Sequence, residues 1–209
     1  MHKLISSDNP YVEQALRHSS LGERNYERLE FLGDRVLGLI IAQALYEAFP
    51  NESEGDLAKR HTALVQGETL AEIARELELG QYIEFSEAEK MAGGAENDNI
   101  LADVVEAILG AIYLHDGLDV VTDFVRESWG ERIKTMKEPP QDPKTALQEW
   151  SQSRGLGLPE YELVGQDGPD HAPMFTIQVS VDGYGTAEAT AQSKRQAQKD
   201  AAKALLAKL

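Results

Sequence analysis

Ile100-Leu-Ala-Asp-Val-Val-Glu-Ala-Ile-Leu-Gly-Ala-Ile-Tyr-Leu114 carries two carboxylates, Asp103 and Glu106, and no other charge. Apolar residues on nearly every side mark a helix sunk in a core, not one lying on a surface. Spaced i, i+3, the two acids face one way. Removing a carboxylate from water is costly unless a positive charge answers it, and this run contains no basic residue.

A second run has the same character. In Asn25-Tyr-Glu-Arg-Leu-Glu-Phe-Leu-Gly-Asp-Arg-Val-Leu37 the acids are Glu27, Glu30 and Asp34. At 100° per helical residue they share an arc of about 60°, with Leu29, Leu32, Val36, Leu39 and Ile40 on the other side. Leu37 and Ile41 continue the acidic stripe and are apolar, so that stripe also leads into a core. Like charges held there either take up protons or gather a cation. Two such helices packed together would point four or five oxygens at one place. A donor set of hard oxygens without His or Cys selects magnesium or manganese over zinc. The alternative is ion pairing with Arg24, Arg28, Arg35 or Lys59. An iron-carboxylate bundle would want Glu-x-x-His pairs, and none is present.

The chain of 209 residues has room for one ordinary domain and a small second one. With no cysteine, disulfides and thiolate zinc sites are excluded, and a reducing cytosol is compatible. The uncharged stretches are too short and too glycine-marked to span a bilayer, so no membrane partner is expected. Met1 to Asp8 lacks the apolar core of a signal peptide, so a cytoplasmic location is expected. Residues 1–142 hold 13 Lys and Arg against 28 Asp and Glu, a balance of −15, and residues 143–209 hold 7 against 8, a balance of −1. That excess argues against a polyanionic partner unless local basic patches or bound cations intervene.

The periodicity up to about residue 136 is helical throughout. Asn9-Pro10 opens a helix to about Arg17. Residues 24–48 form one long helix, residues 56–79 another with Ser53 at its start, and residues 98–115 and 119–134 two more. Gly93-Gly94 sits in a polar loop. Residues 137–142, rich in proline and polar side chains, read as a linker. Beyond it the pattern changes: a helix over 144–153, a short strand over 161–164, alternating Phe175, Ile177, Val179 and Val181, a turn at Asp182-Gly183, a returning strand over 185–191, and a final helix capped by Ser193. The order α-β-β-β-α makes a small antiparallel sheet with helices on one face. Lys194, Arg195 and Lys199 crowd the start of the last helix, where the helix dipole disfavours cations. A phosphate site and a solvated basic face explain this equally well.

Together these motifs closely resemble the ribonuclease III family of bacteria. The residue 25–37 run resembles its signature, and Glu54-Gly-Asp-Leu57, Thr69-Leu-Ala71 and Ile100–Ala107 follow in the family's order. Asp142–Trp150 through Ser193–Ala202 resembles its double-stranded-RNA-binding domain. The resemblance implies an all-α endonuclease domain over 1–136, a linker over 137–142, and an α+β RNA-binding domain over 143–209. It implies a magnesium-dependent endoribonuclease, with manganese a possible substitute, that cuts both strands of double-stranded RNA. The expected ends are 5′-phosphate and 3′-hydroxyl, and the expected role is processing of rRNA, mRNA and other structured transcripts.

By the same resemblance, Glu30, Asp103 and Glu106 hold magnesium. Asp34 is catalytic and a further oxygen donor, and Glu106 is catalytic as well as ligating. Glu27 and Glu54 support cleavage at the edge of the site. Phe31 packs into the partner of a homodimer. Thr145, Gln148 and Gln152 face one minor groove, His171 a second, and Lys194, Arg195 and Lys199 grip phosphates between them. Four positions depart from the family's usual residues: Tyr26 stands for an Asn, Arg35 for a small residue, Ala58 for Ser and His61 for Arg. Arg35 is expected to pair with a neighbouring acid. The competing reading is a catalytically silent RNA-binding regulator, which should have lost metal acids. The six matching acids are all present.

Overall fold

The computed structural model describes residues 8–169 and 173–209, and the chain divides between Pro140 and Gln141 into two compact units. The first contains α1 (Val12–Ala15), α2 (Glu27–Ala48), α3 (Glu54–Val65), α4 (Gly67–Glu76), α5 (Glu87–Met91), α6 (Asp98–Asp116) and α7 (Leu118–Thr135). The second contains α8 (Pro143–Ser153), β1 (Glu160–Asp167), β2 (Met174–Val181), β3 (Gly185–Ala191) and α9 (Lys194–Leu206). Among the described residues no helix is long and apolar enough to cross a membrane.

Helix α6 is the axis of the first unit. Leu101, Val104, Val105, Ala107, Ile108, Leu109, Ala111 and Ile112 are all buried, as a helix apolar on almost every side must be. It crosses α2 backbone to backbone. A Cβ built on Gly33 would lie 1.7 Å from the carbonyl oxygen of Glu106, and one on Gly110 would lie 2.4 Å from that of Leu29. Only glycine tolerates such an approach. The acids of α2 and α6 are thus brought together by residues that carry no chemistry.

Three stretches differ from the sequence expectation. The helix from Asn9 contracts to α1, because the chain leaves it at Leu16 to pair with residue 84: Glu84 N–H donates to Leu16 O at 2.8 Å and His18 N–H to Glu84 O at 3.0 Å. The continuous helix over 56–79 is two helices, broken where Gln66 is extended (φ −71°, ψ 152°). The break frees carbonyls that an unbroken helix would satisfy. Thr69 Oγ1 takes up Ala63 O at 2.7 Å and the indole N–H of Trp129 takes up Leu64 O at 2.9 Å. Apolar residues keep a helical spacing across the break, so periodicity alone hides it. Strand β1 extends the expected 161–164 to eight residues, with an irregularity between Leu163 and Gly165.

Arg60 is buried completely. Its guanidinium meets both Glu52 oxygens at 2.7 and 2.6 Å, donates to Met136 O at 2.5 Å and lies 3.8 Å from the centre of the Phe49 ring. A buried arginine held this way is satisfied in charge and in hydrogen bonds. It ties the end of α7 to α3.

The second unit has the antiparallel order β1-β2-β3. Val179 and Val181 are buried against Leu147 of α8 and Ala201, Ala202 and Leu205 of α9, and Ile177 on the same face of the strand is buried too, so the alternation in β2 is a one-sided core. Gly183 and Gly185 take positive φ (76° and 97°) in the hairpin, as a tight turn requires. Ser193 caps α9 by accepting from Gln196 N–H.

Candidate active site

Glu30 and Asp34 stand on α2, Asp103 and Glu106 on α6, and all four are partly buried. The N-terminus of α2 is shaped by Asn25. Its side chain accepts from Glu27 N–H at 3.0 Å and donates to Gly22 O and to Glu27 Oε2 at 3.0 and 3.1 Å. Tyr26 precedes the helix and is itself buried; its hydroxyl donates to Asp103 Oδ2 at 3.2 Å. Asp34 pairs with Arg35 at 2.5 Å, the pairing expected of that departure, and Arg35 also lies over the Phe31 ring at 4.3 Å.

The electrostatics record how close the acids are. Burial first, and then the charges of Asp34, Glu30 and Asp103, together push the Glu106 carboxyl up from 4.5 to about 8, with Arg35 opposing. Glu30 is raised by burial and by Asp103, Glu27 and Asp34. Asp103 is raised by burial and by Glu27, offset in part by the Tyr26 hydroxyl and by His18. Five expected residues therefore form one mutually repelling group. Glu54 does not join it: it sits exposed in the first turn of α3 and acts on none of these acids. Among the described residues no three acidic or histidine side chains already converge as ligands. The group fits a dication by its chemistry, hard oxygens whose mutual repulsion Arg35 offsets only in part, and not by a finished coordination shell.

This predicts a pH dependence for the chelated protein. Glu106 holds its proton more tightly folded than unfolded, so its stabilising contribution is complete below about pH 4.5 and is lost as pH rises towards 8. Discounted for a partly open site, the loss is on the order of 2 kcal/mol. Melting curves in chelator should fall from pH 5.5 to pH 8, and Glu106→Gln should flatten that fall. An equal slope in both proteins would contradict it.

In the second unit Thr145, Gln148 and Gln152 are exposed on α8 at positions i, i+3 and i+7, one face of the helix. Lys194 and Arg195 are exposed at the start of α9, with Lys194 Nζ 5.5 Å from the Phe175 ring. Lys199 is partly buried and pairs with Asp142, the cap of α8, at 3.3 Å. The basic cluster is therefore two exposed cations and one that also joins the helices. His171 lies outside the described residues.

Sequence reasoning passed over Gly33 and Gly110. The available signal was an isolated glycine in the middle of each apolar helical run, which implies close packing.

Residues 8–133 match the ribonuclease-III-like family model, and residues 143–209 match the double-stranded RNA binding motif. The chain belongs to the ribonuclease III family. It is 47% identical over 205 residues to Ribonuclease 3 of Wolbachia sp. subsp. Drosophila simulans (strain wRi), covering 95% of this chain and 88% of that one. It is 49% identical over 202 residues to Ribonuclease 3 of Rhodobacter capsulatus, covering 95% and 89%. A solved structure of the Campylobacter jejuni ribonuclease III nuclease domain, described for flexibility in a region involved in dimer formation, aligns with a TM-score of 0.58 at 40% identity, covering 60% of this chain and 89% of that one. This ribonuclease III-family protein is an endoribonuclease with a double-stranded-RNA-binding motif.

Proposed function

We propose that the enzyme hydrolyses both strands of double-stranded RNA with magnesium, or manganese in its place, leaving 5′-phosphate and 3′-hydroxyl ends. The observation that carries this reading is the cluster of carboxylates on α2 and α6, in which Glu30, Asp103 and Glu106 are pushed towards their protonated forms by burial and by neighbouring acids. Glu30, Asp103 and Glu106 would hold the metal, with Asp34 beside them. When bound, it lowers the pKa of water and offsets charge developing on the scissile phosphate. The chain's own acids supply what that chemistry needs: Glu106, partly buried among the other acids, would hold its carboxylate against the metal, and Asp34 is accessible from solvent to orient the attacking water. Glu27 lies at the rim of the group. Glu54 would act on substrate, not on the metal.

The reading includes a homodimer. Phe31 is 64% exposed on α2, beside a pocket lined in part by Tyr11, Gln14, Leu29, Leu32 and Leu114. An exposed aromatic next to an apolar pocket of the same chain suits a two-fold interface, in which each copy fills the other. Two sites in one dimer would cut two strands. We further propose a cytoplasmic enzyme that processes rRNA, mRNA and other structured transcripts, with residues 1–136 as its catalytic domain and 137–142 as its linker.

Long duplex RNA incubated with and without magnesium tests the reaction. Cleavage to short duplexes with 5′-phosphates only when the metal is present is the expected result, and metal-independent cutting would refute the metal's role. Binding tests the second unit. Lys194→Ala should weaken duplex RNA binding and reduce the slope of log Kd against log salt by about 1. Because Lys199 also pairs with Asp142, Lys194→Ala isolates the phosphate contact. An unchanged slope would remove Lys194 from the RNA interface.

A further inference from the structure

Tyr26 joins the two acidic helices in a way that neither acid accounts for. Its backbone carbonyl accepts from Leu29 N–H at 2.8 Å and Glu30 N–H at 2.9 Å, so it starts the helical turn that carries Glu30. Its hydroxyl reaches the other helix and donates to Asp103 Oδ2 at 3.2 Å. The ring has little freedom, being only 4% exposed. The His18 ring packs against it at 5.7 Å, inclined by 60°, and Phe85 backs His18 at 5.3 Å. His18 is itself fixed, because its Nδ1 accepts from Ser20 N–H at 3.1 Å and its backbone N–H donates to Glu84 O at 3.0 Å. Tyr26 N–H donates to Arg17 O at 3.0 Å, closing the loop that carries these rings. The phenol is thus held from three directions, with one polar atom aimed at one carboxylate oxygen.

We propose that Tyr26 is a positioning residue for the divalent ion: its hydroxyl fixes the rotation of the Asp103 carboxylate by occupying Oδ2, and so leaves Oδ1 for the metal. Carboxylate ligands are commonly oriented by hydrogen-bond donors one step away from the metal, and loss of such a donor typically costs 10–100-fold in metal affinity. An asparagine at this position would end short of Asp103. The device belongs to the tyrosine that this chain carries where its family often has asparagine. The inference rests on the metal-binding reading proposed above.

The test is calorimetric titration of Mn²⁺ into the full-length protein and into Tyr26→Phe, which keeps the ring and removes only the hydroxyl. The expected result is a Kd about tenfold weaker in the variant. Cleavage of duplex RNA should then require about tenfold more Mn²⁺, with kcat restored to within about threefold at saturating metal. An unchanged Kd would overturn the proposal, as would a loss of kcat that saturating Mn²⁺ does not restore. Absence of Mn²⁺ binding by the unaltered protein would instead remove the metal-binding reading itself, and the positioning role with it.

Discussion

Glu106→Gln should leave a folded protein that binds duplex RNA and does not cut it. Glutamine is nearly isosteric with glutamate, so the packing on α6 persists. On the proposed mechanism, what disappears is a charge that the site needs only when a cation and a developing phosphate charge are present. A loss of about a thousandfold in kcat, ~4 kcal/mol of transition-state stabilisation, is the expected scale. The same substitution should raise the melting temperature in chelator above pH 7, because the carboxylate it removes is desolvated and repelled by Asp34, Glu30 and Asp103. Opposite signs for activity and metal-free stability are the signature of a residue kept for function at a cost to folding. Asp34→Asn should also abolish cutting. Its stability change should be small, since the exposed Asp34–Arg35 pair contributes little. Cleavage by Glu106→Gln at the unaltered rate would sink the site assignment.

Gly33→Ala should unfold the first unit or nearly so, although it adds one methyl group. That methyl would lie 1.7 Å from Glu106 O and 2.6 Å from its carbonyl carbon, and neither can yield, because both belong to the backbone of a buried helix. Either α2 and α6 separate or the turn around Glu106 distorts. Overpacking costs typically about 1–3 kcal/mol where side chains can shift, so a backbone collision should exceed about 3 kcal/mol. Any protein that still folds should bind Mn²⁺ poorly, since separating the helices moves Glu30 and Asp34 away from Asp103 and Glu106. Gly38→Ala is the control. A Cβ there would lie 3.7 Å from the His61 ring, an ordinary contact, so helix propensity should dominate and add up to about 1 kcal/mol. Urea midpoints compare the two. Equal midpoints would mean that the two helix backbones do not touch as described.

Much of the architecture could be read from the chain because its local signals agree with its tertiary structure. Helix α6 is apolar around nearly its whole circumference, and only a central helix can be. β2 alternates because one face meets α8 and α9 and the other meets water. Where reading failed, distant residues had intervened. The break at Gln66 depends on Thr69 and on Trp129, sixty-three residues away in the chain, to satisfy the carbonyls it exposes. The early end of α1 depends on pairing with residue 84. The buried Arg60 depends on Glu52 and on two carbonyls at the end of α7 and just beyond it.

The acids themselves were visible from the start, because carboxylates in apolar helical runs conflict with burial and the conflict shows in one dimension. Their grouping was not. The sequence by itself determined which carboxylates fall in apolar helical runs, which strand faces inward and where two helices begin, since hydropathy, spacing and capping act over a few residues. Only the tertiary structure decided that α2 and α6 meet at Gly33 and Gly110, that Tyr26 reaches Asp103, that Glu54 stands apart and that Lys199 is held by Asp142. Those relations rest on steric fit and Coulomb forces between residues far apart in the chain, and such forces leave no periodic trace in the order of amino acids.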